Sequence, residues 1–146
     1  MSLEKNKEIV HKLGEAFNKK DLAAIGDLIV PDFVDHDLKI EGWESYKQFI
    51  NRFFTGFPDV HQTLLDIIAE GNRVVMYFKY VGTHTGEFLG VAPTGKKITL
   101  YGIVTWRIVD GKIVEKGSQV WDFMDIYKQL GIIEYTEKGK ELFPEK

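Results

Sequence analysis

Near the start of the chain, apolar residues recur at helical spacing. Ile9, Leu13, Ala16 and Phe17 share one side with Lys and Glu between them, which predicts an amphipathic helix. Asn18-Lys19-Lys20-Asp21 interrupts that pattern, and a second, short helix is expected over residues 21–29, with Asp21 as its N-cap. Pro31 restricts the residue before it and ends this helix, so residues 33–36 read as extended. A third helix over residues 43–54 carries Trp43, Tyr46, Phe49, Ile50, Phe53 and Phe54 as its apolar positions, and Gly56-Phe57-Pro58-Asp59 breaks it.

Beyond Pro58 the period becomes extended. Strands are expected over residues 60–69, 73–83, 97–109 and 112–124, with a turn at Glu70-Gly71-Asn72 and a hairpin at Asp110-Gly111. Gly82, Gly86, Gly90, Gly95 and Pro93 mark a loop around Phe88, and a last helical turn over residues 125–130 ends at Gly131. Helices followed by a run of antiparallel strands are the order of an α+β domain. Leu100, Val104, Trp106 and Ile108 lie on one strand phase, yet Tyr101, Ile103 and Val109 on the other are apolar too. A sheet with one wet face alternates more cleanly, so the second face is expected to pack on another copy in a homodimer.

A length of 146 residues suits a single domain spanning 1–146, and 44% hydrophobic with 28% charged residues is the balance of a globular chain. The net charge is −3 and no basic block stands out, which disfavours nucleic-acid and membrane-surface partners. The absence of cysteine removes disulfides, thiolate metal sites and a cysteine nucleophile, and fits a cytoplasmic location. Aromatic residues, at 13%, exceed what a small core needs and would serve to line a pocket for a small apolar or aromatic molecule.

Asp122 is the first candidate for chemistry. In a regular strand Ser118, Val120, Asp122 and Met124 share a face, with Trp121 and Phe123 on the other. A carboxyl in such apolar company would be desolvated, its pKa raised toward that of a general acid or base. The competing reading is a strand-end residue that caps the following helical turn, although Asp125 is better placed for that. His36, between Asp35 and Asp37, is either a proton donor or a solvated loop residue. His84, in phase with Met76, Phe78 and Tyr80, is either a donor to a substrate carbonyl or a strand-end residue bonded to a loop. His11 and His61 read as surface residues, and no pair shows metal-ligand spacing, which makes a weak case for a metal site. Neither a nucleophile elbow nor a phosphate loop is present. Trp43, Phe53, Phe57, Phe78, Phe88, Val104, Trp106 and Val120 are the expected pocket wall, continuous with the core.

An ordered set of motifs then stands out. It comprises Ala16-Phe17-Asn18, Pro31-Asp32-Phe33-Val34-Asp35-His36, Phe57-Pro58-Asp59, Ala69-Glu70-Gly71-Asn72-Arg73, the Gly82 to Gly90 stretch, Pro93-Thr94-Gly95-Lys96, Asp110-Gly111-Lys112 and Gln129-Leu130-Gly131. Together these resemble the SnoaL-like polyketide cyclases, within the nuclear transport factor and ketosteroid isomerase superfamily. The resemblance implies a cone-shaped α+β barrel, N-terminal helices on a curved, mainly antiparallel sheet enclosing a pocket. It also implies a cofactor-independent, metal-free cyclase or isomerase, usually dimeric, in which an aspartate drives an intramolecular aldol closure. Counting back from Gln129, that aspartate falls on Asp122, and the family's Gly-x-His-x-Gly histidine falls on His84; His36 matches a histidine of the ester-cyclase branch. Gly102-Ile103-Val104-Thr105 carries no Gln or His, where the clearest polyketide cyclases do. Other roles that suit the same fold are a non-catalytic ligand-binding module and a dimerising scaffold.

Overall fold

A computed structural model describes residues 2–144. Helix α1 (Leu3–Asn18) is N-capped by Ser2, and α2 (Leu22–Asp27) by Asp21 as its sequence suggests. Strands β1 (Ile29–Asp35) and β2 (Ile40–Glu41) precede the helix α3 (Trp43–Gly56). The long strands β3 (His61–Glu70), β4 (Arg73–Thr83), β5 (Lys97–Val109) and β6 (Lys112–Trp121) follow, then the short helices α4 (Phe123–Gln129) and α5 (Glu137–Leu142).

The six strands form one sheet in the order β2-β1-β6-β5-β4-β3. All neighbours are antiparallel except β1 and β6, which run parallel and pair Asp35 with Lys116. Side chains alternate in and out along β5: Ile98, Leu100, Gly102, Val104, Trp106 and Ile108 are buried, and the residues between them more open. Helix α1 packs on β3 and β4 at one end of the sheet, and α3 on β1 and β2 at the other. Two helices on the same face, held apart by the central strands, leave a space between them.

Register shifts shape β6. Trp106 opposes Lys116 and Val104 opposes Gln119, so Gly117 and Ser118 together face Thr105 alone. A second shift leaves Val114 extra between Ile113 and Glu115. Each such bulge bends the strand and reverses the phase beyond it. Because directly opposed residues share a face, Lys116, Gln119 and Trp121 all point the same way as Val104 and Trp106, toward the helices.

The expected α+β architecture is the observed one, with local differences, among them β2 and the start of β1 at Ile29, where the second helix was expected to continue. The fourth long strand ends at Trp121 rather than residue 124, since Asp122 leaves extended geometry and begins α4. The pair β1–β6 is parallel, joining segments far apart in sequence, and α5 was not foreseen. No helix of the described residues is long and apolar enough to cross a membrane.

Candidate functional site

Every layer of the fold contributes to one cavity. Leu13 and Phe17 come from α1, Tyr46, Phe49, Ile50 and Phe53 from α3, Met76, Phe78 and Tyr80 from β4, Val104 and Trp106 from β5, and Lys116 and Trp121 from β6. Its free space is about 40 Å³, which is room for two or three water molecules. Phe49 and Trp121 are its only lining residues with partial exposure, so they mark its mouth. The rings interlock: Trp121 stacks on Phe53 at 6.1 Å and meets Phe78 edge-on at 5.1 Å, and Tyr80 stacks on Phe17 at 5.0 Å. Gly102 makes the Phe78 position possible, because a Cβ there would lie 2.5 Å from the end of that ring.

One charged pair sits in this apolar setting. Lys116 is 2% exposed and Asp35 is fully buried, with Nζ 3.1 Å from Oδ2. The approach to Oδ2 lies off the line of a good hydrogen bond, and that oxygen has no other partner. Asp35 Oδ1 accepts from the backbone N–H groups of Asp37 and Leu38 at 3.1 and 3.0 Å, which holds the carboxylate still. The ammonium lies 5.4 to 6.0 Å from the ring centres of Trp121, Tyr46, Trp106 and Phe49, a distance at which ring faces attract cations. Burial pushes the lysine pKa down, opposed by the charge of Asp35. Tyr46 and Tyr80 are pushed up, chiefly by burial, so both stay neutral hydroxyls.

Neither Asp35 nor Lys116 was singled out from the sequence, although a signal was present. Alternation puts Asp35 on the face of Phe33, a core position, and a lone acid in a core phase requires a cation. What hid the partner was the parallel pairing of β1 with β6.

Asp122 lies elsewhere. Its side chain is exposed, and Oδ1 accepts from Asp125 N at 3.0 Å, capping α4. It shares the outer face of the sheet with Val120, which is 69% exposed, beside Tyr77, Tyr101 and Ile103. The expectation of a desolvated acid therefore fails. Val120 and Asp122 do share a face, but the register of β6 against β5 makes it the outer one and gives the inner face to Trp121.

The two histidines are also outside the cavity. His36 is exposed, with Nε2 2.8 Å from Glu115 Oε2, and Glu115 is further bound by Arg107. His84 is fully buried and does not line the cavity. Its Nδ1 accepts from Thr94 N at 3.2 Å, its backbone bonds Lys96 and Gly95, and its ring lies 5.3 Å from Phe57. Of the expected wall, Phe53, Phe78, Val104 and Trp106 line the cavity. Phe57 and Phe88 are core beside it, Trp43 covers Gly26, and Val120 is outside. The described residues hold no cluster of metal-ligating side chains.

The model of the SnoaL-like polyketide cyclases matches residues 7–130. The chain belongs to that family. DauD of Streptomyces sp. (strain C5), an aklanonic acid methyl ester cyclase, is 25% identical over 131 residues, which are 85% of this chain and 80% of DauD. The structure of AclR from Streptomyces galilaeus has a TM-score of 0.85 at 27% identity, covering 98% of this chain and 96% of AclR. IdmH from Streptomyces antibioticus, at 31% identity, has a TM-score of 0.74 over 86% of this chain and 98% of its own. The fold is the nuclear transport factor and ketosteroid isomerase-like one.

Proposed function

We propose that this protein is a cofactor-independent cyclase of polyketide-type carbonyl compounds, and that the Asp35–Lys116 pair is its acid and base. The observation that carries this reading is a desolvated lysine lining an aromatic cavity and paired with the buried carboxylate of Asp35. Burial lowers the pKa of Lys116, and its unprotonated fraction takes a proton from the carbon between two carbonyls. The resulting ammonium faces the enolate across the cavity and is held by Asp35. The enolate carbon attacks a second carbonyl of the same molecule, and the ammonium returns its proton to the new alkoxide. One proton leaves and comes back, so no co-reactant is needed. The aromatic walls would hold the chain folded for closure, an entropic contribution. A polycyclic substrate exceeds the free space, so binding requires Phe49 at the mouth to swing aside.

Aklanonic acid methyl ester, the substrate type named for the relatives, is the first compound to try. Aldol closure leaves the mass unchanged, so product is followed by chromatographic retention. The expected result is turnover in the parent protein and a loss of about a hundredfold or more in Lys116→Met, the scale of general acid–base catalysis. Turnover unaffected by that change would end the assignment.

A homodimer through the outer sheet face belongs to the same reading. Tyr101 and Ile103 are each 45% exposed there and Val120 69%, an apolar surface that a second copy would cover. A monomeric mass in solution by light scattering would contradict it.

A further inference from the structure

Unpaired N–H donors gather at this cavity, whose other polar lining groups are the hydroxyls of Tyr46 and Tyr80 and the amide of Gln62. Lysine and tryptophan side chains only donate. Lys116, Trp106 and Trp121 all line the cavity, and both indole N–H groups are buried without an acceptor in the protein. Gln119 shares their face of β6, and its side-chain amide is buried with neither nitrogen nor oxygen paired. Lys116 opposes Trp106 directly across the sheet, and its ammonium is 5.8 Å from that ring and 5.4 Å from Trp121.

Each buried donor left unpaired costs about 1–3 kcal/mol. Several such groups in one place are kept when something else supplies the acceptors. Water can do so in the space available, and a ligand must then match it on displacement. A hydrocarbon would strand the donors. An organic cation would meet the ammonium. A neutral ketone offers one oxygen and no charge.

We propose that the cavity selects the enolate of a 1,3-dicarbonyl compound, one oxygen on Lys116 and the other on the indole N–H groups of Trp106 and Trp121 with the Gln119 amide. This deepens the acid–base reading above, and rests on it for the enolate form. The specificity lies in two oxygens a fixed three carbons apart sharing one negative charge, which four buried donors satisfy together.

The test uses the smallest such compound, acetylacetone, at mildly alkaline pH. Binding is read by indole fluorescence, and enolate formation by the shift of the ligand's ultraviolet band. Pentan-2-one supplies a single carbonyl and butyrate a carboxylate. Acetylacetone is expected to bind at least about tenfold more tightly than either, one charge-assisted hydrogen bond's worth. Trp106→Phe, which keeps a ring but removes the N–H, and Gln119→Met should each erase most of that preference. Pentan-2-one binding should fall by less than acetylacetone binding does, and thermal unfolding of both variants identifies any that misfold. Equal binding of pentan-2-one, equal binding of butyrate, or an unchanged preference in both folded variants would overturn the proposal. So would a dialysis-resistant mass gain on Lys116, which would make the lysine a nucleophile. This binding assay involves no turnover. Selective binding that survives while Lys116→Met leaves cyclisation intact would sink only the acid–base reading.

Discussion

Removing Lys116 should expose the energetics of its pair with Asp35. At 3.1 Å and an effective dielectric of about 20, the attraction is about 5 kcal/mol. Desolvation of two ions offsets most of it, so the pair as a whole contributes little. Breaking it is a different matter. Lys116→Met preserves the aliphatic stem but leaves the carboxylate fully buried with Oδ2 unpaired, at a cost of about 3–5 kcal/mol. Asp35→Asn should cost a similar amount, because an amide in place of the carboxylate leaves the buried ammonium uncompensated. The double change removes both charges and retains an oxygen for the N–H groups of Asp37 and Leu38. It should therefore cost less than the two singles together by about 2–3 kcal/mol. Urea unfolding at neutral pH, followed by far-ultraviolet circular dichroism, measures all four proteins. Single costs that sum to the double within about 0.5 kcal/mol would refute the coupling. The sign of the pH effect is a second check. The folded lysine pKa lies below 10.5, the value of a free side chain. Between the two values the unfolded chain binds more protons, so stability rises with pH there. Lys116→Met should flatten that part of the curve.

Other residues make separate forecasts. Glu115 is held at about pKa 2 by its hydrogen bond from Arg107, then by that of His36, against 4.5 for a free carboxyl; the stability it supplies is present above 4.5 and lost as pH falls toward 2, and is at most about 1 kcal/mol at this part-exposed position. Glu115→Gln should show a shallower acid decline in urea midpoint than the parent, and parallel curves would contradict this. Gly102→Ala places a methyl against the Phe78 ring and should cost about 1–3 kcal/mol by overpacking, seen as a lower melting temperature; an unchanged one would mean the ring moves freely. His84→Ala should loosen the segment from Thr83 to Lys96, read as faster amide exchange at Gly95 and Lys96, while leaving ligand affinity in the cavity as it was.

The fold was legible in the sequence because its signals are local. Apolar spacing located α1 and α3, Asp21 capped α2, and the alternation of β5 set its inner face. The site was less legible because its makers are not local. A bulge is a relation between two strands, and nothing within β6 alone announces that Gly117 and Ser118 share one partner. Alternation alone groups Asp122 with Val120 and Trp121 with Gln119, and only the register against β5 decides that the second group faces the helices. The parallel pairing that brings Asp35 to Lys116 likewise depends on β1 returning to the middle of the sheet after the helices. The aromatic half of the wall, Phe53, Phe78 and Trp106, was readable since core and cavity are continuous there.

Carbonyl chemistry is expected at Lys116 and not at Asp122. Comparing kcat/KM for ring closure of aklanonic acid methyl ester in Asp122→Asn and Lys116→Met tests it most directly. Asparagine is as good an N-cap as aspartate, so the first variant should keep α4 and its activity within about twofold of the parent, while the second loses about a hundredfold or more. A variant at Asp122 that loses its activity, beside one at Lys116 that folds and retains it, would contradict the account.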